Sequence, residues 1–127
     1  MMQSLKVSKF VGFAAIAAII NSIIFLIAKA ADATMIVNQG GSQEIVLPMV
    51  LASTLIGLVI AAYIASLIGK KSKGFLSKSP TIGLVFGIVT APAPFGASDD
   101  FKTSIGLASM HIIAGLLWFI GTNRSIN

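Results

Sequence analysis

The chain has 127 residues, of which 56% are hydrophobic and only 10% charged, with a net charge of +5 and a mean hydropathy of +0.96. Soluble domains carry about 25% charged residues, so a water-soluble globule is excluded. The nine basic residues are too few and too dispersed for a nucleic-acid surface, and the absence of cysteine rules out disulfides, thiolate metal sites and thiol catalysis.

Four windows contain no Asp, Glu, Lys or Arg: residues 10–28, 45–69, 79–98 and 103–123. They take 85 residues, so all 13 charged side chains fall in the other 42, the pattern of a chain whose main solvent is hydrocarbon. The windows are continuously apolar rather than alternating, which excludes a transmembrane β-barrel and leaves helices to satisfy the backbone. The expected fold is an all-α, four-transmembrane-helix bundle. It forms a single transmembrane domain over residues 1–127, with spans at about 10–28, 45–69, 80–95 and 103–121.

The first window imitates a secretory signal, with Lys6 and Lys9 before an apolar run and Ala28-Lys29-Ala30 after it. Its 19 residues exceed the usual signal core and reach about 28 Å at 1.5 Å per residue, so it is read as a span. A polar stretch follows, broken by Gly40-Gly41, with Met35 and Ile36 placed to dip into the interface. The second helix is expected from about residue 45, with Pro48 in its first turn, and Met49, like Met110 in the fourth span, reads as core filling. Along it Ser53, Gly57, Ala61, Ala65 and Gly69 recur every four residues, and Gly83, Gly87 and Ala91 do so along the third helix. Such ridges of small residues permit close helix approach, and contacts inside the chain are favoured over homodimerisation. Tyr63 reads as a packing or snorkelling aromatic.

Lys70, Lys71, Lys73 and Lys78 form a basic turn that anchors topology, closed by Ser79-Pro80 as N-cap and first helical position. The third span is expected to be short or kinked at Pro92 and Pro94. Asp99 and Asp100 mark the return to water, and Trp118 lies near the end of the fourth helix at interfacial depth. Lys and Arg divide seven to two in favour of the side holding both termini, which places the N-terminus and C-terminus in the cytoplasm.

His111, the sole histidine, falls mid-span, where an ionisable group is a functional hypothesis by default. Measured from the cytoplasmic helix ends, Asn21, Thr90 and His111 lie at a common depth of about 15 Å. They form a proposed buried polar layer in which a neutral imidazole pairs with the amide and the hydroxyl. No carboxylate lies in any span to complete a proton relay, and one histidine with two neutral oxygens is not a metal ligand set. No catalytic residue, metal or cofactor is expected, and helix glue is the favoured role for the layer.

Ala52-Ser53-Thr54-Leu55-Ile56-Gly57 and Ser109-Met110-His111-Ile112-Ile113-Ala114-Gly115 resemble a family of small bacterial four-span membrane proteins known only as a domain of unknown function. The resemblance covers about residues 10–121 and implies a bacterial cytoplasmic (inner) membrane as the location. It implies no activity. The expected function is that of a non-enzymatic accessory or scaffold protein acting by helix–helix association. Its partners are the lipid bilayer and either another membrane protein or a homo-oligomer, with no nucleic acid. The alternative is an oligomeric channel or carrier for a small solute or protons that uses His111.

Overall fold

In the computed structural model, which describes residues 3–127, the chain forms α1 (Val7–Ala30), a hairpin of β1 (Ile36–Asn38) and β2 (Ser42–Glu44), α2 (Leu47–Lys71), α3 (Phe75–Thr90), the short α4 (Ala93–Ala97) and α5 (Phe101–Ser125). Four helical stretches are long and apolar enough to cross a membrane: Val7–Ala30, Leu47–Lys71, Phe75–Ala97 and Phe101–Ser125. Helix α1 packs along both α2 and α5, and α5 along both α1 and α3, whereas α2 touches α3 only sparsely.

The interior is built from small residues and the surface from large apolar ones. Ala14, Ala17, Ala18, Ala62, Ala65, Thr103, Ser104 and Thr122 are buried, while Ile27 and Phe86 are 63% and 69% exposed. Lipid tails solvate a leucine as well as a protein core does, so helices associate through close packing and not through the burial of bulk. The α3–α5 seam shows this most directly. Gly87 faces Gly115 so closely that a Cβ on Gly87 would lie 2.8 Å from the His111 carbonyl oxygen and 2.9 Å from Gly115 Cα.

One turn away Gly83 leaves room for the Trp118 ring, whose Nε1 donates to the Ser79 carbonyl at 2.8 Å. Trp118 is therefore buried within the bundle, and it meets Phe10 of α1 edge-on with ring centroids 5.2 Å apart. Helix α3 also begins earlier than Ser79-Pro80 implies, at Phe75 after Gly74, whose φ of 85° suits glycine. Pro80 lies inside the helix, where it removes the amide that would reach the Leu76 carbonyl. The Ser79 hydroxyl donates to that carbonyl at 2.9 Å, so the break is satisfied locally. At the other end the hydrogen-bond ladder stops at Thr90, and Ala91 and Pro92 keep right-handed helical angles until α4 resumes the helix.

Each end of the bundle is tied. At the lysine end the terminal segments pair antiparallel, Leu5 opposite Ile126, with the Lys6 amide donating to the Ser125 carbonyl at 2.9 Å and the Asn127 amide to the Ser4 carbonyl at 3.0 Å. At the opposite end the polar stretch broken by Gly40-Gly41 is a β-hairpin that turns through these two glycines, both at positive φ. Met35 does not dip into the interface. It is 0% exposed in a cluster with Phe25, Ala28, Val50 and Met110, while Ile36 beside it stays exposed.

Asp100 fixes this end. Its Oδ2 accepts from the Thr103 hydroxyl at 2.6 Å and from the Thr34 amide at 2.9 Å, and it caps α5 through the Thr103 amide. Thr103 Oγ1 in turn accepts from the Met35 amide at 2.9 Å. The hydrogen bond from the Thr103 hydroxyl, followed by that from the Thr34 amide, holds the Asp100 carboxyl below its ordinary value of 3.8.

Gly87→Ala should cost about 1–3 kcal/mol by forcing two backbones apart, whereas Gly12→Ala, which meets no neighbour, should not destabilise; reversible denaturation followed by Trp118 fluorescence separates them. Because its carboxyl titrates low in the folded state, the stabilisation from Asp100 is complete above its ordinary value and fades as pH falls through the depressed one. The Thr34 and Thr103 amide resonances should accordingly titrate together with a midpoint below 3.8, and a midpoint at or above that value would contradict the clasp.

Candidate functional site

The sparse contact between α2 and α3 leaves a cleft walled by these helices and floored by α5 and α1. The two small-residue ridges meet different fates here. The α3 ridge of Gly83, Gly87 and Ala91 is partly to fully buried, with Gly83 and Gly87 pressed on α5. Of the α2 ridge, Ala65 and Gly69 are buried, and a Cβ on Gly69 would press on the Leu76 side chain. Ser53, Gly57 and Ala61 remain exposed, and a methyl group added at Gly57 would meet nothing within 4 Å.

The cleft has two lobes, of about 400 and about 340 Å³. Gly57, Leu58, His111 and Ala114 line both. Asn21, Met49, Ser53 and Thr54 are among the other residues of the hairpin-end lobe, and Phe86, Thr90 and Trp118 among those of the lysine-end lobe. Aliphatic and aromatic side chains dominate, with few polar groups among them, the usual chemistry of a small-molecule site.

The expected polar layer divides in two. Thr90 Oγ1 and His111 Nδ1 lie 3.3 Å apart, so this pair forms. Asn21 pairs elsewhere: its Nδ2 donates to Thr54 Oγ1 on α2 at 3.1 Å and to the Met110 carbonyl at 3.4 Å. The side chain is 2% exposed and its Oδ1 has no partner among the described residues. Depth arithmetic fixes the height of these residues but not their direction around the helix, and Asn21 turns toward α2. Thr54 is the partner that the common depth of Asn21, Thr90 and His111 leaves out. It stands seven residues inside Leu47 and Asn21 nine inside Ala30, so both lie about 11–14 Å from the hairpin ends of their helices, and that shared depth is the one signal of the pair.

The neighbours of the Thr90 hydroxyl favour one tautomer of His111. The Thr90 hydroxyl has one proton, and it donates to the Phe86 carbonyl of its own helix at 2.8 Å. With its proton on a backbone carbonyl it serves His111 as an acceptor, an arrangement that favours the neutral tautomer with the proton on Nδ1 and Nε2 left to accept. Among the described residues Nε2 has no partner, and the His111 side chain is exposed on the cleft floor.

Tyr63 faces outward on α2, Met110 fills the hairpin-end core, and Lys70, Lys71, Lys73 and Lys78 are exposed around the lysine-end turn. Among the described residues no three His, Asp or Glu side chains converge as metal ligands. The site can accept a hydrogen bond in an apolar setting, and it places no carboxylate beside the imidazole.

The single histidine makes this arrangement measurable. In ¹⁵N-histidine-labelled protein the protonated nitrogen should be Nδ1, and Thr90→Val should remove that preference. A wild-type spectrum with the proton on Nε2 would contradict the assignment.

No curated protein and no solved structure matches the chain. A family model does, over residues 5–127, and its description is a family of unknown function, DUF6069. The Leu5–Ile126 pairing, the glycine seam, the hairpin clasp and the cleft all lie within the matched residues, and the chain belongs to the DUF6069 family.

Proposed function

We propose that this protein is a non-enzymatic membrane component that works by association inside the bilayer, as an accessory or scaffold protein, and that the cleft between α2 and α3 is where it associates. The supporting observation is the unspent half of the α2 ridge. Ser53, Gly57 and Ala61 offer a close approach that no other described part of the chain takes up, while the rest of that ridge and the α3 ridge are consumed in packing.

The seven-to-two division of Lys and Arg orients the bundle with the paired termini and the lysine turn in the cytoplasm. The cytoplasmic membrane of a bacterium is the proposed location, following the resemblance carried by the second and fourth spans. A conducting role would need water to reach His111. The mostly apolar surface of both lobes favours a cleft that retains a lipophilic occupant over a water-filled path.

The test compares what travels with the protein. Polymer-excised discs cut from the native membrane around the wild type should hold a component enriched over bulk lipid. Gly57→Leu, which fills the cleft, should lose it at equal expression, and Ile60→Ala on the lipid-facing side should keep it. Identical composition in all three discs would overturn the reading.

A further inference from the structure

The cleft has a volume, a depth and one exposed unmet hydrogen-bonding group, His111 Nε2, the other unpartnered acceptor, Asn21 Oδ1, being fully buried, and together they select its occupant. Each lobe is within the range of about 300–1,000 Å³ that small-molecule sites span. The lobes therefore have the size of a small-molecule site.

Depth narrows the class. His111 stands ten residues into α5, about 15 Å from Phe101 and farther from Ser125, so its Nε2 lies near the middle of the span. Phospholipid headgroups stay at the interface, and a charged group at this depth is costly, so neither supplies the partner of Nε2. Acyl chains have no donor to give. An imidazole nitrogen left facing hydrocarbon forfeits its hydrogen bond, and a neutral molecule that brings a donor to mid-depth restores it.

We propose that the cleft is a binding site for a neutral, lipid-soluble alcohol or phenol, whose hydroxyl donates to His111 Nε2 while its apolar body fills the lobes on either side. This rests on the reading of the cleft as the place of association and names the occupant. Thr90 is a positioning residue in this site: by accepting from Nδ1–H it keeps Nε2 unprotonated and ready to accept. The openness at Gly57 admits the apolar body, since that position meets no neighbour.

The experiment uses the full chain in phospholipid nanodiscs, ¹⁵N-labelled at its one histidine. The probes are 1-dodecanol and its methyl ether, which differ in the hydroxyl proton. The alcohol should move the Nε2 resonance saturably and the ether should not. Gly57→Leu should abolish the response, with Ala61→Leu as a second cleft-filling variant should the first fold poorly, and circular dichroism checks the helices of both. No saturable shift with the alcohol, or an equal one with the ether, overturns the proposal. A component lost from the native discs of Gly57→Leu, combined with no Nε2 response, would overturn the alcohol site while the association reading stands with a different occupant, such as a partner helix. Discs of unchanged composition would count against the association reading itself.

Discussion

The solvent around the helices is hydrocarbon, and this constraint orders the rest of the structure. In water a helix hides its large apolar side chains, but here nothing is gained by hiding them, and Ile, Leu, Val and Phe turn outward. What must be kept from lipid is the polar and the small: the serines and threonines that bond to backbone carbonyls, and the glycines whose backbones touch. The Gly87–Gly115 contact, the Trp118 ring over Gly83 and the Ser79 hydroxyl beside Pro80 are all products of this inversion.

The same constraint explains what can be read from the amino-acid order. The charge-free windows locate four spans, because a charge in hydrocarbon is costly enough to mark every boundary. The α3 ridge is legible because a four-residue repeat of small side chains is a direct statement of close packing. Less can be said of direction. Spans that are apolar on every face give no stripe from which to tell which neighbour a residue faces, so a shared depth points Asn21 at His111 when it faces Thr54. Pro80 misleads for a different reason: proline tolerates a first helical turn so well that it hides the turn and a half preceding it.

The hairpin and its clasp are equally hidden, since Thr34 is separated from Asp100 and Thr103 by about half of the chain and their meeting depends on tertiary folding. A capping aspartate three residues before a threonine is visible as a helix start, but the Thr34 amide that shares its carboxylate is not. The candidate site shows the same division. His111 and Thr90 stand out as polar residues at one depth, whereas the cleft before them arises from the divergence of α2 and α3, which no residue pattern announces.

The pairing of Ser4, Leu5 and Lys6 with Asn127, Ile126 and Ser125 has a mechanical side. Both strands enter this short ladder from the same end. Tension applied between the two extremities of the polypeptide therefore peels the ladder open one rung at a time, and the rungs never share the load as they would in shear. The Ser4–Asn127 bond would part first and the Lys6–Ser125 bond after it, ahead of the glycine-locked helices.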